Sequence, residues 1–218
     1  MGTRLKYGGH LEKLANGGGF GTNMNNNYDD AELMLRTLGY SPFWIEAGVV
    51  QIEDLPVQYA AYKESEDADS AHFRHRAFVT FLEKKESIDN ATLSAIRNLD
   101  DHSQLDSSLA QSRLIEVIRR HLLNESQLHE LREDSSIAVI RPINCAIERE
   151  LVKNALAENS IGRVRGIIRA SKDPETQRIA VDWPGCSTDD LKWLEANGVT
   201  RAVRNLAMQR LKQSVKSG

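Results

Sequence analysis

The residues best placed to do chemistry are the basic ones near the C-terminus, and what they offer is recognition of negative charge. Arg165, Arg169 and Lys172 stand four and three apart, and Arg201, Arg204 and Lys212 stand three and eight apart, so on helices each set forms a basic stripe. From Ser160 to Gly218 there are 11 Lys+Arg against 6 Asp+Glu, a net of +5, whereas the other 159 residues carry 17 and 25, a net of −8. A basic end on an acidic molecule suits an acidic peptide or a phosphate backbone. Aromatic side chains, which a single-strand binder needs for base stacking, are sparse among these cations, with only Trp193 close by.

Catalytic and metal chemistry find less support. His72 and His75, three apart, share a helix face, but no third ligand accompanies them, so they are expected to be solvated or partly packed. Cys145 and Cys186 make neither a disulfide framework nor a metal cluster, and two reduced thiols of ordinary reactivity are expected. Gly17-Gly18-Gly19-Phe20-Gly21 lacks the Gly-Lys-Ser/Thr of a phosphate loop and the GxGxxG of a dinucleotide site. No HExxH, nucleophile elbow or kinase set occurs, and Asp189-Asp190 reads as first-turn acid meeting a helix dipole. The expectation is a protein without enzymatic activity, cofactor or metal.

The elements that must position these side chains read as helical. Residues 1–28 are a Gly/Asn-rich arm too poor in apolar side chains to order itself. Residues 29–100 form an N-terminal helical part: Asp29-Asp30 are placed to cap a helix that stops at Gly39, Pro42 opens a segment running toward Pro56, and Ser87 or Asp89 caps the helix of Leu93, Ile96 and Leu99. Asp69 and Arg76 mark a degenerate early copy of the pattern that dominates residues 101–218. With 40% hydrophobic and 27% charged residues, no run of 18 apolar residues and no apolar core in the first thirty, a cytoplasmic protein with no membrane partner is expected.

From Asp101 a leucine, a small polar residue three later and an arginine six or seven beyond recur as Leu109-Ser112-Arg119, Leu131-Asp134-Arg141, Leu156-Asn159-Arg165 and Leu194-Asn197-Arg204. Apolar pairs lead each copy: Leu105 and Leu109, Leu128 and Leu131, Val152 and Leu156, Leu191 and Leu194. The polar residue belongs to the types that cap helix N-termini, so each copy reads as a short helix, a cap and a second helix. Pro142 should break the second copy and start a fresh helix over about Ile143 to Leu156, and Asp173-Pro174-Glu175 should open an additional one.

Ser187 to Ala207, with Asn124 to Ile143 as a second unit, resembles the leucine-rich repeat variant and HEAT-like helical-repeat families over about residues 101–212. The resemblance implies an all-α protein in which short helices stack into a right-handed α-solenoid, with the preceding helices as an N-terminal cap. It implies a binding scaffold and no reaction; the iron-sulphur domain of some such proteins has no matching cysteine cluster here.

Two functions are therefore expected in order: a scaffold for protein–protein interaction, with a protein or acidic peptide as partner, or nucleic-acid binding through the basic C-terminal helices. Arg119, Arg141, Arg165 and Arg204 hold the motif position and are expected to pair with the polar caps. Arg163, Arg169, Lys172, Arg201 and Arg210 lie off it and are the candidate partner contacts.

Overall fold

The computed structural model describes residues 24–66, 69–99 and 108–216, and these form thirteen α-helices and one 3₁₀ turn with no strand, an all-α fold. No helix among them is long and apolar enough to cross a membrane. Contacts divide the chain into two compact units, Met1–Leu114 and Ile115–Gly218. Most of the arm expected over residues 1–28 lies outside the described residues. Its last five residues do not: α1 spans Met24–Leu38, so Asp29 and Asp30 lie inside a helix rather than capping one. Once later turns are fixed by packing, each further residue adds a hydrogen bond at little cost, and even an Asn run is drawn in.

Helix α1 stops where expected. Gly39 takes φ +70°, with its N–H donating to Arg36 O (3.2 Å) and the Tyr40 N–H to Leu35 O (2.8 Å), the paired bonds of a Schellman turn. The Arg74 Nη1 donates to Leu38 O (3.0 Å) and Ser70 Oγ (2.8 Å) across the turn, and a Cβ at position 39 would stand 2.1 Å from it. Gly39→Ala should therefore cost about 2 kcal/mol, part from the left-handed backbone and part from displacing the guanidinium. Urea unfolding monitored by circular dichroism measures it, and a cost below 0.5 kcal/mol would show that Arg74 moves aside freely.

Pro42 precedes a helix of one turn, α2 (Phe43–Glu46), which centres the first unit on Trp44. Ser41 Oγ and Trp44 Nε1 both donate to Leu99 O, at 2.6 and 2.8 Å, which ties α2 to the end of α5 (Asn90–Arg97). The run of large apolar residues does not continue as one helix to Pro56. Gly48 breaks it at φ +66°, a 3₁₀ turn follows at Ile52–Asp54, and Pro56 sits in the first turn of α3 (Leu55–Glu64), where its missing N–H costs nothing. Asp69 caps α4 (Ser70–Glu83) by accepting from Ala71 N, and Asp89, not Ser87, caps α5 by accepting from Thr92 N (2.7 Å). Helix α1 packs on α3 and α4, and α2 on α5.

Helix α6 (Ser108–Arg119) spans the division between the units. The second unit continues with α7 (Glu125–Glu133), α8 (Ser135–Ala138), α9 (Arg141–Ala157), α10 (Ile161–Ala170), α11 (Pro174–Asp182), α12 (Thr188–Asn197) and α13 (Arg201–Lys216). From α7 onward each helix packs on the next, and alternate helices pack on one another, α7 on α9, α9 on α11 and α11 on α13. The core between them is Val152, Ala155, Val164, Ile168, Ala180, Val181, Leu191, Leu194, Val203 and Ala207.

The polar position of the repeated pattern behaves differently from its expected role. Only Asp134 is an N-cap, accepting from Ser136 N at 2.8 Å. Ser112 is interior to α6, and Leu109 beside it is exposed, so that copy contains no helix boundary. Asn159 takes φ +52° just beyond α9, while Ser160 N donates to Ala155 O, so it closes a helix as Gly39 does. Asn197 ends α12 with its Nδ2 donating to Trp193 O, and the next helix is capped by Thr200 Oγ1. Asn suits both an N-cap and a left-handed C-terminal position, so its presence marks a boundary without saying on which side. Pro142 falls in the first turn of α9, which starts two residues earlier than its position in the sequence suggests.

Candidate functional site

The second unit converts most of its basic residues into internal contacts. Arg165 on α10 forks onto Asp190 in the first turn of α12, with Nε to Oδ1 at 2.7 Å and Nη2 to Oδ2 at 3.0 Å. Asp190 is buried, and it also receives the Ser187 hydroxyl at 2.6 Å, so Arg165 holds its carboxyl below the usual carboxylate range. Arg149 on α9 makes the same fork one step earlier, to Asp173 at the start of α11, at 2.7 and 2.8 Å. Burial of Asp173 works against its charge, but the Arg149 fork and the Thr176 N–H and hydroxyl outweigh it and hold the carboxyl at about 2. In both pairs an arginine reaches from one helix to the N-terminus of the helix after next.

The other motif arginines differ in role. Arg204 Nη1 donates to Gly198 O (2.6 Å), closing the turn between α12 and α13, and Arg119 and Arg141 are exposed. Gly198 is needed there because a Cβ would stand 2.6 Å from Leu194 O. Asp134 accepts from the backbone of α8, Asp173 and Asp190 accept from arginines, and Arg149, off the motif, makes one of the two forks.

The five candidate contacts fall into two groups. Arg163 is held by Glu158 (2.6 Å) and by a short contact to Glu125, and Arg210 donates to Val181 O (2.7 Å) and Trp183 O (3.4 Å), closing the end of α11. Both guanidiniums are engaged within the unit. Arg169 lies over the Trp193 ring at 5.5 Å and only 4.0 Å from Asp190, Lys172 is exposed in the turn after α10, and Arg201 is exposed at the first residue of α13. Among the described residues, neither Lys172 nor Arg201 is in an ion pair.

For catalysis the described residues offer little. Both cysteines are free; burial pushes the Cys145 thiol up and the Cys186 thiol to about 11, so at neutral pH neither is a thiolate. No group of three His, Cys, Asp or Glu among the described residues is arranged to hold a metal ion. His121, at φ +58°, contacts the buried Glu150, whose other oxygen lies 3.5 Å from Lys153 Nζ, and this pairing satisfies a carboxylate that burial would otherwise penalise. No protein-family model, curated protein or solved structure matches the chain.

Proposed function

We propose that this protein is a cytoplasmic, non-enzymatic scaffold for protein–protein interaction, whose second unit is a short right-handed α-solenoid of the HEAT-like or leucine-rich-repeat-variant kind. The observation that carries the reading is the repetition of the arginine fork, Arg149 to Asp173 and then Arg165 to Asp190, along a run of helices in which each packs on the next and alternate ones, α7, α9, α11 and α13, pack on one another. Such an array buries its apolar stripes by stacking, and it leaves an extended helix surface for a partner. Arg169 over Trp193, Lys172 and Arg201 are the contacts we assign to an acidic segment of that partner.

Internal pairing of Arg163 and Arg165 interrupts the basic line that the sequence runs through Arg165, Arg169 and Lys172, and a broken line of cations suits an acidic protein segment better than a continuous phosphate backbone. Affinity capture with the native chain and with a Lys172→Glu/Arg201→Glu variant tests the reading. The variant should keep its stability within about 1 kcal/mol, since both side chains are exposed surface groups, while recovery of a stoichiometric partner falls at least tenfold. Equal recovery with both chains, or salt-sensitive binding of an oligonucleotide that the variant loses, would overturn it.

A further inference from the structure

The first unit holds a cleft that the basic C-terminal residues do not touch, and its chemistry is specific enough to name a ligand class. It has a volume of about 450 Å³, in the range of small-molecule sites, and is walled by α4, by α3 and by the turn from Gly48 to Gln51. The α4 wall has two edges. Phe73, Ala77 and Phe81 follow one another at four-residue steps along one, with Lys85 just past the helix end, and Arg76 and Thr80 do so along the other, with Lys84 at the C-cap, so an aromatic floor runs beside cations.

The opposite wall mixes Val49, Val57 and Ala61 with Gln51, Asp54 and Gln58, and Val57 on it is 72% exposed. A valine that exposed, facing two phenylalanines across an open cleft, leaves apolar surface in water that a ligand would cover. The cations are already drawn in over the rings: the Arg76 guanidinium lies 5.7 Å from the Phe73 centroid, and the Lys85 ammonium 4.9 Å from that of Phe81. Against three cations the lining supplies one acid, Asp54. The Tyr40 hydroxyl donates to Gln58 Oε1 at 2.6 Å, which leaves the amide nitrogen of Gln58 as that residue's donor.

We infer that this cleft binds a small amphipathic anion, an aromatic or aliphatic body seated between Val57, Phe73 and Phe81 with a carboxylate, sulfonate or phosphate head against Arg76 and Lys84. Charge decides the class. A neutral apolar ligand would leave the rim cations desolvated without a partner, and a cationic one would meet like charge on the α4 wall. The inference concerns only the first unit and stands whether or not the second unit is a protein scaffold.

The test uses the full chain and anilinonaphthalene sulfonate as the probe, with laurate as a second anion and dodecanol and dodecylamine as neutral and cationic counterparts. Saturable one-to-one binding of the probe, displaced by laurate at least tenfold more effectively than by dodecanol or dodecylamine, is expected. Arg76→Gln/Lys84→Gln should weaken it at least tenfold with an unchanged circular-dichroism spectrum and melting temperature. Val57→Asp, which places an acid at the lip without touching the core, should weaken it too. Methyl NMR shifts on saturation should centre on Val57 and Ala77. Non-saturating binding, equal affinity for dodecanol, affinity unchanged by the Gln pair, or displacement only by an acidic peptide would each overturn the inference.

Discussion

Trp44→Ala is expected to lower the stability of the first unit by about 4 kcal/mol, the range for removing a buried aromatic side chain from a packed core. Trp44 is fully buried, with the Tyr40 ring tilted against it at 4.8 Å between centroids and the guanidinium of buried Arg113 at 4.8 Å from its ring. Three losses coincide. The cavity forfeits dispersion contacts, Leu99 O loses one of its two donors, and Arg113 is left buried beside a void instead of a ring face. Trp44→Phe restores the ring face but not the N–H, and should recover roughly half of the loss. Urea unfolding by circular dichroism distinguishes these outcomes, and a loss below about 1 kcal/mol for the alanine variant would mean that Trp44 does not centre the unit.

Asp173→Ala should cost about 3 kcal/mol at pH 7, because it strips an N-cap from α11 and leaves Arg149 without its carboxylate. The guanidinium of Arg149 retains partial access to water, which keeps the figure at the lower end for a broken buried pair. The effect has a pH signature with a definite sign. The folded carboxyl titrates at about 2, below the unfolded value near 3.9. Its contribution is therefore fully present above about pH 5 and is lost as pH falls through the folded value. The stability gap between the native chain and Asp173→Asn should be constant from pH 7 to 5 and narrow steadily between pH 4 and 2. Denaturant unfolding at a series of pH values measures the gap; one that widens toward low pH would contradict the assignment. A double-mutant cycle with Arg149→Ala should show a coupling near half of the single-variant cost.

Pairing between helices is also where sequence reading reaches its limit. Only spacing off a repeated motif marks Arg163, Arg169, Lys172, Arg201 and Arg210 as partner contacts. Spacing cannot show that Arg163 lies between Glu125 and Glu158, or that Arg210 is spent on the carbonyls at the end of α11. Arg149 carried no motif at all, yet makes the shortest fork in the second unit. The one signal available was an arginine in mid-helix ahead of Asp173-Pro174, and only packing shows that the two meet.

The amino-acid sequence by itself determined that the protein is helical and where many helices start and stop. Asp69, Asp89, Asp134 and Asp173 are caps, Gly39 is a stop, and Pro142 and Pro174 sit in first turns. These features are legible because the bonds that create them span two to five residues, so the partners are written side by side in the chain. The tertiary structure alone decided on which side of a boundary Asn159 and Asn197 act, which carboxylate each arginine meets 24 or 25 residues away, and that Val57 of α3 faces Phe73 of α4 across a cleft. Those outcomes depend on how helices stack. The periodicity of a helix specifies its apolar face, but it leaves open which other helix that face, and the charges at its edges, will meet.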